Sequence, residues 1–263
     1  MSPARIREFC MKKIVLLLIF AIFGIICFGQ KPENYIKDAE AGDAQAQYNL
    51  GYCYHFGTGT VQDYKQAEMW YRKSAEQGYA RAQLNLGVLY EKGLGVEKDL
   101  TKTVDLYRKS AEQGNAIAKN NLGFLYENGL GVEMDLTKAA DMYSKSAEQG
   151  NLNAKNNLAK LYLEGKGVKK DQTEAKRLFL EAAEKGNATA QNNMGMIFYN
   201  GWGVEKDYEK ALYWYQLSLL DKSSLNEALV KKTEERIKEI TLELDGIAFV
   251  KSWQSALSKT KKM

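Results

Sequence analysis

Few residue types here could carry chemistry, and their spacing narrows the options at once. The chain has 263 residues and one histidine, His55, so no two-histidine metal site can form. Any histidine-based proton transfer would rest on that single ring. Cys53 lies in the apolar stretch Tyr52-Cys53-Tyr54 and reads as a buried structural thiol rather than a nucleophile. Ser258 and Lys261 have the Ser-x-x-Lys spacing of an activated serine. They sit in a basic terminal tail, and no Lys-Thr-Gly follows. Gly93-x-Gly95 could suggest a phosphate cradle, but no strand precedes it, the third glycine is missing, and the pair occurs five times. That is the behaviour of a turn. The carboxylates alternate with lysines, as around Lys73-Ser74-Ala75-Glu76, and describe a solvated helix face. No P-loop, EF-hand loop or paired-cysteine zinc pattern is present. The residues predict no catalytic centre, no metal and no cofactor.

The elements that hold these residues repeat. Ala75-Glu76-Gln77-Gly78, Ala111-Glu112-Gln113-Gly114, Ala147-Glu148-Gln149-Gly150 and Ala183-Glu184-Lys185-Gly186 recur at intervals of 36 residues. A second series at the same interval runs Gly57/Gly59, Gly93/Gly95, Gly129/Gly131, Gly165/Gly167 and Gly201/Gly203. Five units follow: 43–78, 79–114, 115–150, 151–186 and 187–222.

Each unit reads as two antiparallel helices. In the second unit the first helix spans about Ala80 to Lys92, with Ala82, Leu86, Leu89 and Tyr90 on one face. It ends at the glycine pair, where positive φ permits a tight exit. Asp63, Asp99, Asp135, Asp171 and Asp207 stand where the second helix needs an N-cap. Gln66 and Glu174, three residues on, are placed to complete capping boxes; Lys102, Lys138 and Lys210 are not. The second helix turns Leu106, Tyr107 and Ala111 inward. Gly51, Gly87, Gly123 and Gly195 lie inside first helices, where each costs about 1 kcal/mol relative to alanine. Close approach of the paired helix is the expected reason, with Ala159 marking a wider contact in the fourth unit.

Leu86-Gly87, Tyr90, Gly93-x-Gly95-Val96, Asp99, Tyr107 and Ala111-Glu112-Gln113-Gly114 resemble the Sel-1-like repeat, a relative of the tetratricopeptide repeat. Gly195, Gly201-Trp202-Gly203-Val204, Asp207, Ala211 and Trp214-Tyr215 match in the fifth unit. Thr60-Val61 and Thr103 depart mildly from the pattern. The resemblance covers residues 35–220 or so. It implies an all-α fold, a right-handed α/α superhelix (solenoid) that serves as an interaction scaffold. Residues 30–42 read as an N-terminal half-repeat cap, 43–222 as the five repeats, and 223–263 as C-terminal capping helices with a basic tail. Leu225, Leu229, Ile237, Ile240 and Leu244 mark a long capping helix, and Phe249, Trp253 and Leu257 a further short one.

In the related tetratricopeptide arrangement the first helices line the concave side. Repeat positions 3, 6, 10 and 13 there face away from the core. Position 6 holds Tyr48, Leu84, Asn120, Asn156 and Asn192; position 10 holds Tyr52, Val88, Phe124, Lys160 and Met196. These ten are the candidate partner-binding residues, variable while the scaffold positions are not. Asn120, on that face, is expected to tolerate alanine with little loss of stability, whereas leucine at Gly123 is expected to damage folding. Asn49, Asn85, Asn121, Asn157 and Asn193 recur at position 7, suited to bond either a peptide backbone or the neighbouring repeat.

Residues 1–29 read as a cleaved signal peptide: a basic start (Arg5, Arg7, Lys12, Lys13), an apolar run from Ile14 to Ile26, and small residues Cys27 and Gly29 before Gln30. Met11 makes a more typical start than Met1. The apolar run is short for a membrane span, and an uncleaved anchor is the alternative. Cleavage removes four basic residues and one acidic residue, so the formal charge of +4 falls to +1 and three cysteines fall to one. A near-neutral chain gives no electrostatic case for nucleic acid or an anionic membrane.

The expectation is an exported, non-catalytic scaffold binding a protein or peptide, in the periplasm or at the surface of a Gram-negative bacterium. A carbohydrate or cell-wall ligand module is the alternative, because tyrosines and asparagines suit sugars. A β-lactamase-like hydrolase stands behind both. Cysteine-rich relatives linked to that activity carry a cysteine pair in each repeat, and this chain does not.

Overall fold

The computed structural model describes residues 31–260, with side chains described to residue 248. The proposed signal segment, 1–29, and the side chains of Phe249, Trp253 and Leu257 lie outside what is described. Twelve α-helices and one short 3-10 segment follow each other, with no strand among the described residues. They are α1 (Glu33–Glu40), α2 (Ala44–Phe56), α3 (Tyr64–Glu76), α4 (Ala80–Lys92), α5 (Leu100–Glu112), α6 (Ala116–Asn128), α7 (Leu136–Glu148), α8 (Leu152–Glu164), α9 (Gln172–Glu184), α10 (Ala188–Asn200), α11 (Tyr208–Ser218) and α12 (Glu227–Thr260). The chain forms two compact units. One runs to Ala118 and takes in Leu130–Val132; the other comprises Lys119–Gly129 and everything from Glu133 onward.

The five aspartates cap as the sequence predicts. Asp99 accepts from the backbone N–H of Lys102 at 2.9 Å, Asp135 from Lys138 at 2.9 Å and Asp207 from Lys210 at 2.8 Å. The capping boxes do not form. The backbone N–H that a box would satisfy already donates across the glycine turn, from Asp63 to the Tyr54 carbonyl and from Asp171 to the Tyr162 carbonyl, both at 2.9 Å. Glu174 turns to Arg177 instead, receiving Nε at 2.7 Å. Where lysine follows the cap it returns to it: Lys210 Nζ lies 2.7 Å from Asp207.

The glycine turn closes on the preceding repeat. Gly95, at φ +71°, has no room for a side chain, since a Cβ would fall 2.4 Å from the Tyr64 carbonyl carbon. Inside the helices the expected reason is refined. A Cβ on Gly123 would meet first the ring of Tyr143, at 2.9 Å from Cδ1 and Cε1, and then the Ala139 carbonyl oxygen of the paired helix at 3.3 Å. Tyr71, Tyr107 and Tyr215 fill the same place beside Gly51, Gly87 and Gly195. In the fourth repeat Ala159 faces Phe179 within one buried cluster.

The ends of the repeat array are packed. Ala39 of α1 is buried with Ala46, Leu50 and Trp70, and Gln47 Nε2 donates to the Ala39 carbonyl at 3.0 Å. At the other end Ile240 of α12 is buried against Ala211 and Tyr215, with Ile237 and Leu244 beside it. The two helices expected after residue 223 are one uninterrupted helix of 34 residues.

Candidate functional site

Each repeat buries one tyrosine or phenylalanine ring, and the residue that each tyrosine hydroxyl meets fixes what its first helix exposes. Tyr107 donates to Glu91 at 2.5 Å and Tyr143 to Glu127 at 2.6 Å. Tyr71 lies 3.4 Å from His55 Nδ1 and accepts from Asn85 Nδ2 at 3.1 Å. His55, Glu91 and Glu127 all occupy position 13, so that position serves the tyrosine rather than a ligand. Where the fourth repeat substitutes Phe179, position 13 becomes Leu163. A polar pair has been exchanged for an apolar one, as a buried site requires. Burial and the Glu127 carboxylate raise the Tyr143 hydroxyl far above the ordinary phenol range, and burial pushes Tyr215 up to about 12. Burial and then Lys92 push the His55 imidazole below its usual value. That ring packs face-on to Phe56 at 4.2 Å and edge-on to Tyr64 and Tyr71. It is a packed histidine, and Cys53 is likewise buried with its thiol pKa raised by burial.

Position 6 departs from the expectation of a residue facing away from the core. Leu84, Asn156 and Asn192 are buried, only Tyr48 and Asn120 being half-exposed. At Asn156 the reason is a run of amides. Asn193 Nδ2 donates to Asn156 at 2.7 Å, Asn156 to Asn157 at 3.4 Å, Asn157 to Asn120 at 3.1 Å and Asn120 to Asn121 at 3.3 Å. Positions 6 and 7 thus link successive repeats within the second compact unit. This is the neighbouring-repeat role that the recurrent asparagine allowed. Asn192 is covered by α12, donating to Thr233 Oγ1 at 2.6 Å.

Position 10 remains accessible in every repeat. Tyr52, Val88 and Met196 are half-buried, while Phe124 and Lys160 are exposed. In the first unit the Tyr52 ring lies tilted against Phe56 at 4.5 Å and against Tyr48 at 6.4 Å, and Phe56 is 55% exposed. In the second unit Phe124 is 44% exposed, and Lys160 lies 3.9 Å from Glu127. A cavity of about 430 Å³ opens beside Lys160 and Met196. No cluster of three or more histidine, cysteine or acidic residues that could hold a metal occurs among the described residues. No helix among them is long and apolar enough to cross a membrane.

The hairpins, glycine turns and amide links define an all-α helical-repeat protein. Residues 44–79, 80–115, 116–151, 152–187 and 188–220 each match the Sel1 repeat, and the chain belongs to that family. It is similar to c5321, a protective antigen of uropathogenic Escherichia coli with an SLR fold, at 37% identity and a TM-score of 0.68. That likeness covers 73% of this chain but only 41% of the antigen's length. It is also similar to a Sel1 repeat protein from Oxalobacter formigenes, at 38% identity and a TM-score of 0.66 over 68% of this chain and 72% of that one. A Sel1 repeat protein from Klebsiella pneumoniae subsp. pneumoniae shares the fold at 24% identity and a TM-score of 0.51, over 80% and 99% of the two chains. No curated protein sequence matches significantly. Sel1 repeat proteins are generally protein-interaction scaffolds.

Proposed function

We propose that the chain is an exported, non-catalytic scaffold that binds a protein or peptide partner through the first-helix face of its repeats. The carrying observation is that position 10 stays accessible in all five repeats while its residue type changes each time, from Tyr52 and Val88 to Phe124, Lys160 and Met196. Scaffold residues around it, such as Ala82 and Ala118, are fully buried. Exposed aromatic side chains on a rigid helix are common anchors of protein interfaces. The helices α1 and α12 serve as caps, closing end repeats that would otherwise expose apolar faces.

Immobilised protein should retain a partner from the native cells, and a Phe124→Glu variant of unchanged melting temperature should release it. Retention of no protein by the wild-type chain would overturn the reading. A carbohydrate ligand is the second reading, favoured by the Tyr48, Tyr52 and Phe56 rings. Saturable glycan binding lost in Tyr52→Ala would establish it instead. Export rests on residues 1–29, and N-terminal mass spectrometry of the fractionated protein should find a mature chain starting at Gln30. A retained Met1 or Met11 in the cytoplasmic fraction would refute it.

A further inference from the structure

We infer that the cavity between α8, α9 and α10 is a pocket for an acidic peptide segment that places an apolar side chain next to a carboxylate. The inference rests on the peptide-binding reading above and names the chemistry of the partner at one place.

The pocket exists where the repeat pattern breaks. Its lining includes Leu163 and Phe179, the pair that stands where the preceding repeat has Glu127 and Tyr143. A tyrosine and a carboxylate here would present a bonded polar pair, as Tyr143 and Glu127 do. Phenylalanine and leucine present only hydrocarbon. Trp202 and Met196 extend that surface. The tryptophan stands between the paired glycines of the fifth repeat, where the other repeats have Thr58, Leu94, Leu130 and Lys166. A volume near 430 Å³ falls within the roughly 300–1,000 Å³ of ligand pockets, and an apolar side chain would displace water from these walls.

The rim is positive. Lys160, Lys166 and Lys170 line it against one carboxylate, Glu164. Glu164 is taken by Lys166 at 2.6 Å, and Lys160 has only the distant Glu127 at 3.9 Å. Lys170 has no ion pair among the described residues. The Lys170 ammonium therefore remains for a ligand's carboxylate, with the loosely paired Lys160 beside it, next to an apolar lining that excludes water. Asn193 adds a peptide acceptor. It lines the pocket and spends its Nδ2 in the amide run to Asn156, which leaves its Oδ1 as an acceptor for a backbone N–H. Apolar walls, cationic rim and amide acceptor together describe a peptide. A neutral sugar has no charge to meet the lysines, and a bare anion has nothing to place against Trp202.

Calorimetry on the full chain tests this with a capped hexapeptide of alternating aspartate and leucine. The controls are its asparagine–leucine counterpart and inorganic phosphate. Lys170→Glu, which removes no core contact, is the deciding variant. Trp202→Thr, the residue type of the first repeat, is read only if its melting temperature is unchanged. One-to-one binding is expected, weakened roughly tenfold by Lys170→Glu and by the asparagine peptide, as for the loss of one charge-assisted contact. Equal affinity of both peptides, phosphate competing on its own, or no heat at millimolar peptide would overturn the pocket. A native partner held by wild type and by Lys170→Glu but lost in Phe124→Glu would also overturn it, while leaving the scaffold reading intact.

Discussion

Gly123 and Asn120 sit three residues apart on α6 and show how differently two side-chain positions can be constrained. Tyr143 cannot swing away from Gly123, because its ring is fully buried and its hydroxyl is held by Glu127. Gly123→Leu should therefore destabilise by about 1–3 kcal/mol through overpacking, seen as a lower melting temperature. The same change at an exposed helix glycine such as Gly246, where a Cβ meets nothing within 4 Å, should not destabilise. The glycine's need for space was legible from sequence, because a poor helix former recurs only under constraint. Its cause was not, since a tyrosine twenty residues later gives no local signal. From sequence, Asn120 is a groove-face residue expected to tolerate alanine with little loss of stability. It accepts from Asn157 and donates to Asn121, so Asn120→Ala should cost about 1 kcal/mol, measurable by denaturant melts. Periodicity placed it on the correct helix face, but it does not reveal that the next repeat leans on that face. At His55 the depressed pKa means the unfolded chain binds a proton more readily than the folded one. Stability from this residue is present above the unfolded value near 6.5 and is lost as pH falls below it. The melting temperature should drop between pH 7 and pH 5 in wild type and less in His55→Gln. The capping aspartates Asp99 and Asp135, with pKa values lowered chiefly by backbone N–H donors, act only in more acidic solution.

Among elements, the paired helices were the most legible, because each boundary has its own chemical mark. Aspartate opens α3, α5, α7, α9 and α11, and glycine closes the helix before each turn. What the marks did not show was the competition for the cap's own N–H, which the Tyr54 and Tyr162 carbonyls win over Gln66 and Glu174. The C-terminal helix was harder. Leu242 is 73% exposed while Ile240 is fully buried, so apolar content alone misplaces its contact face. Ile240→Glu should bury an unpaired carboxylate against Tyr215 and Ala211. That predicts a loss above about 2 kcal/mol and earlier melting, with Leu242→Glu as the near-neutral comparison.

For the molecule as a whole, neighbouring repeats supply one another's surfaces, so stability is set by repeat number and by the joints between repeats. The joint is short and fixed. Gly167 seats on the Leu136 carbonyl, and Asp171 then closes back on Tyr162. Deleting residues 151–186 joins Gly150 to Asn187, an asparagine that caps its helix at Ala190 as Asn151 does at Ala154. The shortened protein should stay helical and cooperative by circular dichroism. Deleting Lys169 alone should lower the melting temperature, although far less chain is removed, because Gly167 and Asp171 can no longer both reach their partners. The joint therefore acts on inheritance as well as on folding. A slip in DNA copying that adds or drops one full repeat yields a product whose ends still fit, whereas a slip of one codon in the turn does not. Genes of this kind are free to change length only in steps of a whole repeat, and the reach of the binding face would grow or shrink in the same steps.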